Sequence, residues 1–110
     1  MAKEPGNIYG RRLREARESY DYSQPELGVA AGLDESVASP RISRYETGEN
    51  EAKEGMKLRL ARVLALPLSY FHIEDDEEAR RVLADCRSEK PVQKLQEIRR
   101  IRQKLKDARG

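Results

Sequence analysis

From Ser23 to Gly48 the chain reads SQPELGVAAGLDESVASPRISRYETG, a span punctuated closely enough to allow only two short helices and a turn. Ser23 suits a helix N-cap, and Glu26 three residues on completes a capping box. Pro25 falls inside the first turn, where a missing N–H costs nothing. Leu27, Ala31 and either Val29 or Ala30 supply an apolar face. Gly32 then stops the helix, because glycine takes the left-handed position after a helix without strain. Asp34 can cap a brief turn through Val37. Ser39 precedes a proline, which pushes it out of the α region. The pair therefore reads as an N-cap and first helical residue, and predicts a second helix over residues 40–46 ended by Gly48. Ile42 and Tyr45 lie three apart on its inner face, leaving Arg41, Ser43 and Arg44 outside.

Composition narrows what can surround these helices. Charged residues make up 38% and apolar ones 37%, so a large core is impossible and short helices around one small core are the natural solution. Period-2 alternation is absent, which argues against a sheet. The single cysteine, Cys86, cannot form an intrachain disulfide. No apolar run approaches the ~20 residues of a membrane span, and the N-terminus lacks a signal-peptide apolar region. A cytoplasmic protein with no membrane role is expected.

The flanking segments follow the same periodicities. Residues 1–6 read as a flexible arm. Asn7 can cap a helix to about Tyr20, with Ile8, Leu13, Ala16 and Tyr20 as its apolar stripe. Arg11, Arg12 and Arg14 are expected mostly on solvated faces. Met56, Leu60, Val63 and Leu64 predict a helix over 54–65, closed by Leu66-Pro67. Ser69 can cap a short turn carrying Tyr70 and Phe71. The run Glu74-Asp75-Asp76-Glu77-Glu78 suits the positive start of a helix to about Asp85. Pro91 opens a last helix to about Ala108, striped by Val92, Leu95, Ile98, Ile101 and Leu105. This helix is too short to stand alone in water. Pairing with a mate as a homodimer is the preferred way to bury it, ahead of folding back or meeting a membrane surface or another partner.

The residue set excludes most chemistry. Gly-rich phosphate loops, Gly-x-Ser-x-Gly and His-Glu-x-x-His patterns are missing. His72, the only histidine, lacks partners for a zinc site. No enzyme, metal or cofactor is expected. A helix anchored by one stripe and showing arginines and serines outward is instead shaped for a DNA major groove. Ser39, Arg41, Ser43 and Arg44 are the base-reading candidates, with phosphate contact or a local ion pair as the alternative for the arginines. Gln24, Asn50 and Lys53 are the phosphate candidates. For Gln24 the alternative is a plain exposed side chain. Charge is unevenly spread: residues 1–73 balance at 11 basic and 11 acidic side chains, while residues 87–110 carry 9 and 3.

The chain resembles the lambda-repressor/Cro-like helix-turn-helix family, also called the XRE family, over roughly residues 8–71. The matching residues are Arg17, Ser23-Gln24, Glu26-Leu27, Gly32, Ile42-Ser43-Arg44-Tyr45-Glu46, Gly48 and Leu66-Pro67-Leu68-Ser69-Tyr70-Phe71. Two features depart from the pattern. The interval from Gly32 to Gly48 is about one helical turn longer than usual, and Ala65 stands where a glycine is usual. The resemblance implies an all-α fold: a compact five-helix DNA-binding domain over residues 7–73, then a C-terminal helical extension over 74–110. It implies an Arg17–Glu46 ion pair tying the first helix to the third. It also implies a sequence-specific regulator of transcription acting on double-stranded DNA, expected to be a dimeric repressor reading an inverted repeat. A second reading keeps the scaffold but makes it a protein-interaction module, an antitoxin or an inhibitor whose basic amphipathic tail grips an acidic surface.

Overall fold

The computed structural model describes residues 7–88 and 91–109, with side chains over 7–87 and 96–108. The expected arm at residues 1–6 lies outside the described residues, as do the side chains of Val92 and Leu95. Among the described residues the chain is helical throughout: α1 (Ile8–Ser19), α2 (Gln24–Ala30), α3 (Glu35–Thr47), α4 (Glu54–Leu64), a 3-10 turn (Leu68–His72), α5 (Asp76–Ser88) and α6 (Pro91–Arg109).

Local chemistry accounts for most boundaries. Asn7 Oδ1 accepts from the Gly10 amide at 2.7 Å and starts α1. Ser23 and Glu26 form both halves of a capping box at α2. Gly32 and Gly48 carry φ of 94° and 81°, conformations open to glycine, and end the two central helices.

The start of α3 differs from the expectation. Asp34, not Ser39, is the N-cap, accepting from the Ser36 amide at 2.9 Å, and the helix runs unbroken through Pro40. Proline removes one helical N–H, here the donor to the exposed Ser36 carbonyl, which water can reach. Fully buried Ala38 lies in the turn ahead of Pro40, packed against α2, and that contact offsets the lost bond. The one-turn insertion noted in the sequence is therefore the first turn of α3 itself.

The helices meet over one core built on Leu13, Leu27, Ile42, Leu60, Leu64, Tyr70 and Phe71, each at most 1% exposed. Two close approaches set its geometry. A Cβ on Gly28 would fall 2.6 Å from the Ala38 Cβ, so α2 and α3 touch where both residues are small. A Cβ on Gly10 would fall 2.2 Å from the Glu46 carbonyl oxygen, so α1 crosses directly over the end of α3.

Helices α5 and α6 add side chains to this core. Ala79 and Leu83 of α5 and Ile98 of α6 belong to the same buried cluster. Arg12 fastens α5 in place. Its side chain is fully buried, its Nε donates to the Ile73 carbonyl at 2.8 Å, and its Nη2 reaches Asp76 Oδ1 at 2.7 Å. That hydrogen bond holds the Asp76 carboxyl below the ordinary carboxylate range. The solvated position expected of Arg12 is thus corrected. Ile8, Arg12, Ala16 and Tyr20 are spaced four apart, so the inward stripe of α1 carries a charge that Asp76 at the start of α5 neutralises.

Ala65 ends α4 with φ 55° and ψ 44°, a left-handed conformation that strains a side-chain-bearing residue. Ala65→Gly is expected to raise stability by about 1 kcal/mol, read as a higher midpoint in urea at an unchanged slope.

Candidate nucleic-acid interface

The α2–turn–α3 unit holds α3 from behind and leaves its front open. Ala38, Ile42, Tyr45 and Glu46 are buried. The opposite side carries Ser36, Val37, Pro40 and Arg44, all exposed, with Ser43 half-buried at its margin. Val37, 40% exposed, and Pro40 make this front partly apolar, a surface suited to a thymine methyl.

Behind α3, Arg17 Nε lies 2.6 Å from Glu46 Oε2 and its Nη2 3.3 Å from Glu46 Oε1. Arg17 Nη1 also donates to the Tyr22 carbonyl at 2.9 Å. One guanidinium thus ties α1, the α1–α2 turn and α3 together. Gln24 joins this network: its Nε2 donates to Glu46 Oε1 at 3.2 Å, and its Oε1 accepts from the Ser39 hydroxyl at 3.4 Å. Gln24 and Ser39 are both half-buried on the flank of α3 toward α2. The two expected contacts with DNA are here paired with each other.

The predicted arginines part company. Arg44 stands on the front, with Nε 3.9 Å from Glu49 Oε2 and both side chains about half exposed. Such a pair contributes between nothing and about 1 kcal/mol, so Arg44 can leave it at little cost. Arg41 turns to the other flank, its Nη1 donating to the Tyr45 hydroxyl at 3.3 Å. There it shares a shallow depression with Asn50, Lys53 and Arg59. Three cations and an amide thus gather on one side of α3, with Glu51 on the same rim.

Arg59 was not singled out by sequence reasoning. It reaches back toward the helix-turn-helix turn, its Nη1 3.5 Å from where a Cβ would stand on Gly32. No local signal separates it from Arg62 on the same helix. Acidic groups border the face as well. Asp34 keeps its carboxyl below the ordinary range through the Ser36 hydroxyl and amide, so a negative charge stays at the start of α3.

The last helix is used differently from the expectation. Ile98 and Leu105 are buried in the chain itself, Ile101 is half-buried against the same core, and α6 lies along α2. Arg102 anchors it, with Nε 2.6 Å from Glu26 Oε2 and Nη2 2.6 Å from the Asp21 carbonyl. Among the described residues of the stripe expected to seek a mate, Ile98 and Leu105 are covered within the chain, and Glu26 of α2 supplies the carboxylate that holds Arg102 beside them. Arg102 sits inside that stripe, one residue past Ile101, and this placement was the available signal. Among the described residues no cluster of His, Cys, Asp and Glu could hold a metal ion, and no helix is long and apolar enough to cross a membrane.

Two helices set across a tight turn, the second showing cations outward, define a helix-turn-helix protein. The sequence profile of the helix-turn-helix domain matches residues 8–69, and the chain belongs to that family. It is 39% identical over 61 residues to a Pyrococcus furiosus protein that carries the name of an HTH-type transcriptional regulatory protein. That match covers 56% of this chain but 18% of the relative, so the chain spans about a fifth of that relative's length. The crystal structure of the transcriptional regulator BswR matches with a TM-score of 0.65 and 33% identity, covering 92% of this chain and 98% of that one. These matches support a helix-turn-helix DNA-binding regulator.

Proposed function

We propose that this chain is a sequence-specific repressor of the lambda-repressor/Cro-like type, acting in the cytoplasm as a homodimer on an inverted repeat. The observation that supports this most is the front of α3: buried Ala38, Ile42, Tyr45 and Glu46 fix the helix, while Pro40, Ser43 and Arg44 project from it. In this reading Arg44 reads a base, because its planar fork meets guanine O6 and N7 together. Ser43 reads beside it. Arg41, Asn50 and Lys53, with Arg59, hold phosphate on one flank. Gln24 and Ser39 brace the helix and reach the backbone only by exchanging partners.

Two-fold pairing places two copies of α3 in successive major grooves, with half-site centres about 34 Å apart. With Ile98 and Leu105 already covered, the mate-to-mate contact falls to surface that the single chain leaves open. Repression follows from occupancy, since a dimer on a promoter blocks access by position alone.

Arg44→Ala is expected to cost about 1–3 kcal/mol on the preferred site and to relax preference at one base pair. Binding titrations against a panel of single-base site variants read both effects. An equal loss on every sequence would move Arg44 to phosphate.

A further inference from the structure

The basic flank of α6 is not explained by its anchoring role. Arg102 locks α6 against the first turn of α2 through Glu26 Oε2 at 2.6 Å, while Glu26 Oε1 accepts from the Ser23 amide at 2.8 Å. One carboxylate therefore caps α2 and fixes α6 beside it. The cleft between them is lined by Ser23 and Pro25 on one side and by Arg99, Gln103 and Lys106 on the other. Arg99, Arg102 and Lys106 are spaced three and four apart, which puts them on one flank of the helix. Arg99 and Lys106 are exposed, and Arg102 already neutralises Glu26. The flank thus presents two exposed positive charges next to the start of α2.

We propose that this flank is a second phosphate-binding surface, in which Arg99 and Lys106 grip the DNA backbone outside the groove that α3 enters. The proposal rests on the DNA-binding reading above. In a docked helix-turn-helix the helix before the reading helix crosses the backbone. A rigid basic helix fastened to its first turn therefore meets the adjoining phosphates. This use also accounts for a tail that carries the chain's basic excess while residues 1–73 are balanced. Contacts of this kind add affinity and carry no sequence information.

The test uses the full chain and two duplexes of about 30 base pairs, long enough to span neighbouring major grooves. One carries the site that the wild-type chain enriches from a random pool, and the other is a scrambled control. The Arg99→Ala/Lys106→Ala variant is expected to bind both several-fold more weakly. Its slope of log affinity against log salt should be shallower by about 2, near 0.9 for each lost phosphate contact. The site it enriches should be unchanged. Arg100→Ala/Lys104→Ala removes the same charge from the far flank of α6 and is expected to leave the slope as it was. Equal effects from the two variants, or none from the first, would overturn the proposal. If Arg44→Ala loses base preference while Arg99→Ala/Lys106→Ala matches wild type, only the second surface fails. If the wild-type chain binds neither duplex, the DNA-binding reading fails with it.

Discussion

Arg17→Ala is expected to lower stability by about 3–5 kcal/mol, because it leaves a buried carboxylate without its partner. Glu46 has a side chain 5% exposed and Arg17 one 12% exposed, so neither end can recover water. Gln24 would still donate to Glu46, but a neutral amide replaces little of a guanidinium. The Tyr22 carbonyl loses a donor as well. For a domain of this size the loss corresponds to a fall in melting temperature on the order of 15 °C. The paired change Arg17→Met/Glu46→Leu should cost much less than Arg17→Ala, since it removes both charges and keeps their volume. A double variant no better than Arg17→Ala would show that the loss comes from the pair's own hydrogen bonds, including those to Tyr22 and Gln24, and not from an unpaired buried carboxylate.

Gly10→Ala should also be severely destabilising, against the usual trend. Alanine in a helix normally gains roughly 0.5–1 kcal/mol over glycine. Here the new methyl would stand 2.2 Å from the Glu46 carbonyl oxygen, 2.8 Å from its carbon and 3.0 Å from the Tyr45 oxygen. All three are backbone atoms and cannot rotate aside. Either α1 lifts from the end of α3 or the carbonyls shift, and overpacking of this kind costs about 1–3 kcal/mol or more. The displacement also strains the Arg17–Glu46 pair in the same contact. Gly55→Ala is the matched comparison, since nothing lies within 4 Å of that position and a small gain is expected. Denaturant melts of the two variants should move in opposite directions. A Gly10 variant as stable as wild type would mean that α1 and α3 do not approach so closely.

The order of elements was legible because caps and stop signals are local. Ser23, Glu26 and Gly32 bracket α2 by chemistry that needs no neighbour. Pro40 misled for the same reason: the local preference for a break was real, but tertiary packing at Ala38 outweighed it. Arg12 misled because a cation on an apolar stripe looks solvated until its acceptors, Ile73 and Asp76, are known, and they lie more than 60 residues away. The stripe of α6 announced that something must cover it, but an amphipathic pattern states a need and not a partner. The outward side chains of α3 followed from the positions of Ile42 and Tyr45. The division of labour among them did not, since it depends on which flank packs toward α2 and which borders the depression shared with Asn50 and Arg59.

The most direct test of the central claim, that the front of α3 reads DNA, is selection from a random double-stranded pool with the purified full chain. The account predicts enrichment of an inverted repeat whose half-sites are centred about 34 Å apart or a multiple of it. It also predicts that Arg44→Ala loses information at one position in each half. Enrichment of no sequence, or an identical motif from the Arg44 variant, would contradict it.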